Sequence, residues 1–252
     1  MTQYSDDKLL LARIADLFRL CDKYACARFS DFLDGAEQAA IEDNHAVQYG
    51  YNVMLFGGFE NSERKIMGVF PEWEEANSSL FPIKVLTIES GIGRELTHRD
   101  YLGTFLSLGI DRSKTGDIVA DGKKAYAFVH EDVADYIKNN VSKIGRQGVK
   151  ITISDVCDIT VPEPKFQKIS AVCASMRLDA VVGAAAGVSR SNAAALIRGG
   201  KVKLNHRECD DIAKTVKEGD LLSIRGSGRF IASEVSGETR SGRIHIEILK
   251  YI

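Results

Sequence analysis

The sequence is poor in several features that would assign it to a class. Its 252 residues include four prolines, one tryptophan and five cysteines. No run of about 18 apolar residues occurs, so a membrane-spanning helix is not expected. The first eight residues are polar and carry Asp6 and Asp7, which is unlike a signal peptide, and a cytoplasmic location is the expectation. Cys21, Cys26, Cys157, Cys173 and Cys209 are odd in number, with no Cys-x-x-Cys pair and no histidine partner at metal spacing. They read as reduced, mostly buried small hydrophobes, and neither a metal nor a cofactor is expected. Charge of one sign is also missing, since the net formal charge is −2. What remains, 44% hydrophobic and 27% charged residues, is the composition of an ordinary globular chain long enough for two or three small domains.

The small net charge hides an asymmetry. Lys and Arg minus Asp and Glu gives −7 over residues 1–79, +1 over 80–156, 0 over 157–173 and +4 over 174–252. A polyanion would be repelled by the first segment and attracted by the last, so contact with nucleic acid would be oriented. The acidic segment is the candidate surface for a protein partner.

The same four segments are the expected domains, and the fold class is α+β, multi-domain. In the N-terminal α+β domain, 1–79, Leu10, Ile14, Leu17, Phe18, Cys21 and Tyr24 share one helical face within 8–33. A second helix is expected over 36–45, then a hairpin of strands 52–56 and 65–70. His45 and Trp73 have no catalytic company and read as packing or surface residues. The middle domain, 80–156, reads as strand 83–88, helix 98–107, strands 116–120 and 125–129, helix 131–139 and strand 149–153. This βαββαβ order is that of an RRM-like split βαβ sandwich. Thr97 with Asp100 three residues on reads as a capping box rather than the start of a His98-based acid–base pair. Gly91-x-Gly93-Arg94 lacks the third glycine of a dinucleotide fingerprint. Residues 157–173 read as a linker stiffened by Pro162-Glu163-Pro164, whose apolar residues beyond Phe166 point to partial packing against a domain.

The last segment, 174–252, carries the densest pattern. Leu178, Val181, Val182 and Ala185 recur at helical spacing after Arg177. Ser189 stands where an N-cap belongs, and residues 193–197 form a helical run ended by Gly199-Gly200. The period then changes to two, with Val202 and Leu204 on one face, Lys201 and Lys203 on the other, and a turn at Asn205-His206. A strand over 221–225 leads into Gly226-Ser227-Gly228 between Arg225 and Arg229. Strands over 231–235 and 244–249, joined across Gly237 and Gly242, finish the sheet. A helix N-terminus with Arg190, followed by a strand with two outward lysines, gathers free backbone N–H groups and positive charge, and phosphate is the natural ligand.

This ordered set resembles an S4 (αL) RNA-binding domain. Residues 96–103, Leu-Thr-His-Arg-Asp-Tyr-Leu-Gly, together with Leu108-Gly109-Ile110-Asp111-Arg112 and Gly116-Asp117-Ile118 ahead of that domain, resemble the bacterial YlmH family over about residues 1–240. The resemblance implies a cytoplasmic RNA-binding protein, encoded near cell-division functions in Gram-positive bacteria and linked to ribosome-associated quality control. Its RNA would be rRNA or tRNA, most plainly on the large ribosomal subunit. The candidate RNA-binding residues are Arg177, Ser189, Arg190, Ser191, Asn192, Lys201, Lys203, Asn205, Arg225 and Arg229. Arg94, His98, Arg99, Arg112 and Lys114 form a candidate second RNA surface, and no catalytic residue is expected.

Two other functions compete. S4 domains also accompany pseudouridine synthases, methyltransferases and tyrosyl-tRNA synthetases, and Arg177-Leu178-Asp179 is similar to a tripeptide that carries the catalytic aspartate in pseudouridine synthases. The glycine-rich cofactor loop, nucleotide signatures and separate catalytic domain those enzymes need are not found, so Asp179 reads as a structural partner near a helix start. A cell-division adaptor that binds protein through its acidic end is compatible with RNA binding.

Overall fold

The computed structural model describes residues 2–163, 165–238 and 243–251, with side chains from residue 7 onward except those of 234–238. The chain forms two compact units, Met1–Pro162 and Glu163–Ile252.

The first unit begins with α1 (Thr2–Tyr24), β1 (Arg28–Leu33), α2 (Gly35–Asp43), β2 (Tyr51–Phe56) and β3 (Lys65–Pro71). Leu10, Ile14, Phe18 and Cys21 lie on one face of α1 and are buried, as the helical spacing predicts, while Leu17 is partly buried and Tyr24, at the end of the helix, is exposed. The helical reading of 8–33 runs too far. Ala25 turns into the left-handed region with φ 50°, and residues 28–33 pair with β3 as a strand in which Phe32 and Leu33 are buried. The α2 start is fixed by a capping box: Asp34 Oδ1 accepts from the N–H groups of Ala36 and Glu37, each at 2.9 Å, while Glu37 accepts from the Asp34 N–H at 2.7 Å. The expected hairpin of β2 and β3 is present, and the antiparallel sheet has the order β1-β3-β2. Both helices cover one of its faces, where Ile14, Phe18, Ile41, Met67 and Val69 share a core.

The unit continues with β4 (Ile83–Ser90), α3 (His98–Ser107), β5 (Thr115–Asp121), β6 (Lys124–His130), α4 (Glu131–Asn140), β7 (Lys143–Ile144) and β8 (Gln147–Asp155). The sheet order β5-β6-β4-β8-β7, antiparallel throughout, is the split βαβ arrangement extended by the short β7. Tyr101 and Phe105 of α3 and Ala134 and Ile137 of α4 pack on one face, against Leu86, Ile88, Ala127 and Val129.

The other face of this sheet is covered too. Ile83, Val85 and Phe128 share a core with Phe32, Ile66 and Phe70 of the three-stranded sheet. The approach is close enough to require glycine. A Cβ on Gly58, which sits at φ +101°, would lie 2.3 Å from the Phe128 ring, and one on Gly116 would lie 2.6 Å from the Phe32 ring. Polar ties flank the apolar contact: the Asp117 carboxylate accepts from the Glu63 and Arg64 N–H groups at 2.5 and 3.3 Å, and Lys114 Nζ lies 2.8 Å from Asp31. Residues 1–79 and 80–156, read from sequence as two domains, therefore belong to one compact unit, because each sheet hides its phenylalanines against the other.

The second unit contains β9 (Phe166–Cys173), α5 (Leu178–Ala186), α6 (Arg190–Arg198), β10 (Val202–Leu204), β11 (Arg207–Glu208), β12 (Leu221–Ile224), β13 (Gly228–Glu238) and β14 (Ile244–Tyr251). Its sheet order is β11-β10-β12-β13-β14-β9, with the two helices on one face. Residues 166–173 were read as part of a linker. They form an edge strand instead, paired with β14 over eight residues, because Ile169, Ala171 and Cys173 alternate into the core. The Gly242 end of the expected β13–β14 turn and Pro164 of the stiff segment lie outside the described residues. The cysteines are less uniformly hidden than their composition implied: Cys21 and Cys173 are buried, Cys209 is half-buried, and Cys26 and Cys157 are exposed. His45 is exposed and Trp73 is 76% exposed.

Candidate nucleic-acid interface

The helix pair of the second unit places the first group of candidates. Val181, Val182 and Ala185 of α5 and Ala193 and Ile197 of α6 bury their faces together, and the path bends by 108° between the helices after Gly187, which closes α5 at φ 66°. Ser189 caps α6 by accepting from the Asn192 N–H at 3.3 Å, and its hydroxyl lies 3.0 Å from that of Ser191. The Asp179 carboxylate is buried at the junction. Arg177 donates to it at 3.3 and 3.2 Å and Arg190 at 3.0 and 3.1 Å. Burial alone would push this carboxyl up, but the hydrogen bonds from Arg177 and Arg190 outweigh burial and hold its pKa below the usual aspartate value.

Two partly exposed guanidiniums are thus fixed by one carboxylate whose two oxygens are both occupied. That is a positioning arrangement: Asp179 sets where two cations stand beside a helix N-terminus, whose N–H groups and dipole add positive potential.

A second group of candidates lies on the opposite face of the unit. Val202, Leu204, Leu222, Ile224 and Phe230 point toward the helices, so their alternates point away. Lys203 pairs with Ser223 and Ser223 with Arg229, while the Arg225 N–H bonds to the Lys201 carbonyl. Lys201, Lys203, Arg225 and Arg229 therefore share the outer face of three neighbouring strands. The sequence placed these residues in one set with Arg177 and Arg190, and the sheet separates them into two surfaces. Asn205 serves the turn: at φ 48° it accepts from the Leu221 N–H and donates to Asp220, both at 2.8 Å. Phe166 and Tyr251, which flank the cations on this face, were not singled out from sequence. The only signal for Phe166 was the apolar content of the supposed linker.

The five candidates in the first unit have different surroundings. Arg94 is held bidentately by Asp100 at 2.9 and 2.7 Å, and Asp100 also accepts from the Thr97 N–H and hydroxyl. Those contacts depress the Asp100 pKa far below the usual range, with Arg94 as the largest cause. Arg112 turns inward and donates to the carbonyls of Thr115 and Gly116, and burial followed by the Arg64 charge pulls its pKa down to about 10. Lys114 bridges Asp31 and Asp132. His98 keeps contact with solvent, although crowding and the Arg112 charge lower its pKa. Arg99 is exposed. Two of the five are thus tied into the junction of the two sheets and a third is clamped at the α3 start.

Among the described residues, no group of three or more His, Cys, Asp and Glu side chains could hold a metal ion, and no single helix is long and apolar enough to cross a membrane.

Two segments of the chain match families of known proteins. Residues 78–158 match the family described as "Putative RNA-binding domain in YlmH", and residues 176–222 match the S4 domain. Over 239 residues the chain is 28% identical to "Ribosome-associated protein quality control protein P2" of Bacillus subtilis (strain 168), covering 94% of this chain and 93% of that protein. The structure titled "Cell division protein ylmH from Streptococcus pneumoniae" shares the fold, with a TM-score of 0.52 and 18% identity over 61% of this chain and 93% of that one. With an α+β architecture, a middle segment that matches a domain model of YlmH and an S4 domain behind it, the chain belongs to the YlmH family.

Proposed function

We propose that this chain is a non-catalytic factor that recognises structured RNA, either ribosomal RNA or tRNA, on the large ribosomal subunit. The observation that carries the reading is the Asp179 clamp, which presents Arg177 and Arg190 as a fixed pair at the start of α6. A preformed pair of guanidiniums suits the phosphates of a folded RNA, since little side-chain order has to be gained on binding. The name of the Bacillus relative supports the ribosomal setting. A second contact through the first unit would rest on Arg99 and His98. The test is sedimentation of the full chain with purified large subunits at moderate salt. Co-sedimentation that falls at least tenfold in Arg177→Gln/Arg190→Gln is expected, and a wild-type chain that stays in the supernatant defeats the ribosomal assignment. Mass spectrometry of RNA incubated with the protein, with and without S-adenosylmethionine, should find no new modification; one that disappears in Asp179→Asn would make the chain an enzyme.

A specific observation favours a protein partner at the acidic end. Tyr49 is fully exposed and Trp73 is 76% exposed, and Trp73 stands among Glu72, Glu74 and Glu75. Aromatic rings among carboxylates fit a basic peptide. Trp73 is the single tryptophan of the chain, so its emission should shift to the blue on assembly with the partner. Unchanged emission in a complex that has demonstrably formed removes this surface.

A further inference from the structure

The outer face of the six-stranded sheet carries a row of side chains that runs across five strands. Phe166 on β9 pairs with Tyr251 on β14. Tyr251 is followed by Arg229 on β13, Ser223 on β12 and Lys203 on β10, each opposite the next. The first three are planar groups in contact: the Phe166 and Tyr251 rings meet at 4.9 Å with an interplanar angle of 62°, and the Arg229 guanidinium lies 5.6 Å from the centre of the Tyr251 ring. Lys201 and Arg225 flank the Lys203 end on the same face. Lys168 also points this way but is paired with Glu247 at 3.1 Å.

From this juxtaposition we propose that the outer face of the sheet binds single-stranded RNA, with bases stacked along Phe166, Tyr251 and Arg229 and phosphates held by Lys203, Lys201 and Arg225. The proposal rests on the RNA-binding reading above and adds a second ligand class at a separate surface.

Three physical arguments support it. Planar side chains and a guanidinium plane offer their faces to unpaired bases, whereas the bases of a duplex are already stacked and gain nothing there. The helix side has the complementary character, with cations and backbone donors but no aromatic ring among the candidates. Neighbouring strands are about 4.8 Å apart, so the row places stacking groups and cations at successive steps along a strand laid across the sheet. The occupant is argued from charge as well, because Lys201, Lys203, Arg225 and Arg229 attract a polyanion, whereas among the described side chains Glu208 and Glu247 stand opposite or beside lysines.

The experiment uses the full chain and two fluorescein-labelled probes, an oligouridylate and a stable RNA hairpin, read by anisotropy. Phe166→Leu/Tyr251→Leu keeps apolar bulk on the face and removes both rings. It should weaken oligouridylate binding by about tenfold or more, the loss typical of a base–aromatic stack, and leave hairpin binding within about twofold. Arg177→Gln/Arg190→Gln should do the reverse. Ultraviolet crosslinking of the oligouridylate to the wild-type chain supplies a readout that does not depend on variants folding, and crosslinked peptides should contain Phe166 or Tyr251. Crosslinks confined to α6, or a double-leucine variant with unchanged oligouridylate affinity, would overturn the platform while leaving the hairpin reading intact. A wild-type chain that binds neither probe would remove the RNA-binding reading itself.

Discussion

Two sheets in this molecule are built alike and treated oppositely. Each has a pair of helices packed on one face, through Tyr101, Phe105 and Ile137 in the first unit and through Val181, Val182 and Ile197 in the second. On the far face of the first lie Ile83, Val85 and Phe128, and a second sheet covers them. On the far face of the second lie Lys203, Ser223, Arg229 and Tyr251, all at least partly open to solvent. An RRM-like domain ordinarily offers its open sheet face to RNA. Here that face is an interior, so analogy of fold alone does not locate an interface on it.

The sharpest way to break the comparison is to open the covered face. Phe128→Ala should destabilise the first unit by about 3–5 kcal/mol, because a fully buried ring is removed from a core shared by two sheets. Gly58→Ala should act in the same direction by overpacking, at about 1–3 kcal/mol. Denaturant unfolding followed by circular dichroism measures both. A Phe128→Ala chain that unfolds like wild type would show that the covered face contributes no stability.

The next effect contrasts two carboxylates. Asp179 is held below the usual aspartate pKa, its burial outweighed by Arg177 and Arg190, and Asp117 is raised, with burial as the main cause. A depressed folded-state pKa contributes stability that is present above the unfolded value and is lost as pH falls through the folded one. Asp179→Asn should therefore cost about 2 kcal/mol at neutral pH and remove part of the acid sensitivity of the second unit. A raised pKa has the opposite sign: ionised Asp117 opposes folding at neutral pH, and the opposition is relieved as pH falls. Asp117→Asn, which keeps one acceptor for the Glu63 and Arg64 N–H groups, should change stability by less than about 1 kcal/mol. Unfolding measured across the acid range decides it, and identical pH profiles for wild type and Asp179→Asn would contradict the clamp.

The smallest effect tests the open face by salt. If roughly four phosphates are neutralised, the logarithm of RNA affinity should fall with the logarithm of salt at a slope of about −3, and each cation removed should flatten it by somewhat under one unit. Titrations of Lys203→Gln and Arg225→Gln at several salt concentrations measure this; slopes identical to wild type would place the phosphates elsewhere.

Much of this was legible in local sequence. The cap at Ser189, the 98–107 helix, the βαββαβ succession of the middle segment and the turn at Asn205-His206 depend on neighbours within a few residues, so spacing and residue type suffice to read them, whereas the short β7 was not read. Net charge likewise placed the attraction for a polyanion at the C-terminal end. Where the local pattern was ambiguous, reading failed. Phe29 and Phe32 continue the helical spacing of α1, yet belong to a strand because β3 supplies the hydrogen bonds and the opposing sheet supplies the burial.

Tertiary structure decided everything that depends on which face meets which. It turned Arg112 and Lys114 inward, divided the S4 cations between a helix surface and a sheet surface, joined Phe166 to Tyr251 across 85 positions of sequence, and enclosed the phenylalanines of the RRM-like sheet. The physical reason is that burial is a property of pairs of surfaces. A sequence states that a strand has an apolar face or that a helix begins with a cation, but only the long-range pairing of strands determines whether that face is covered and whether that cation still meets water.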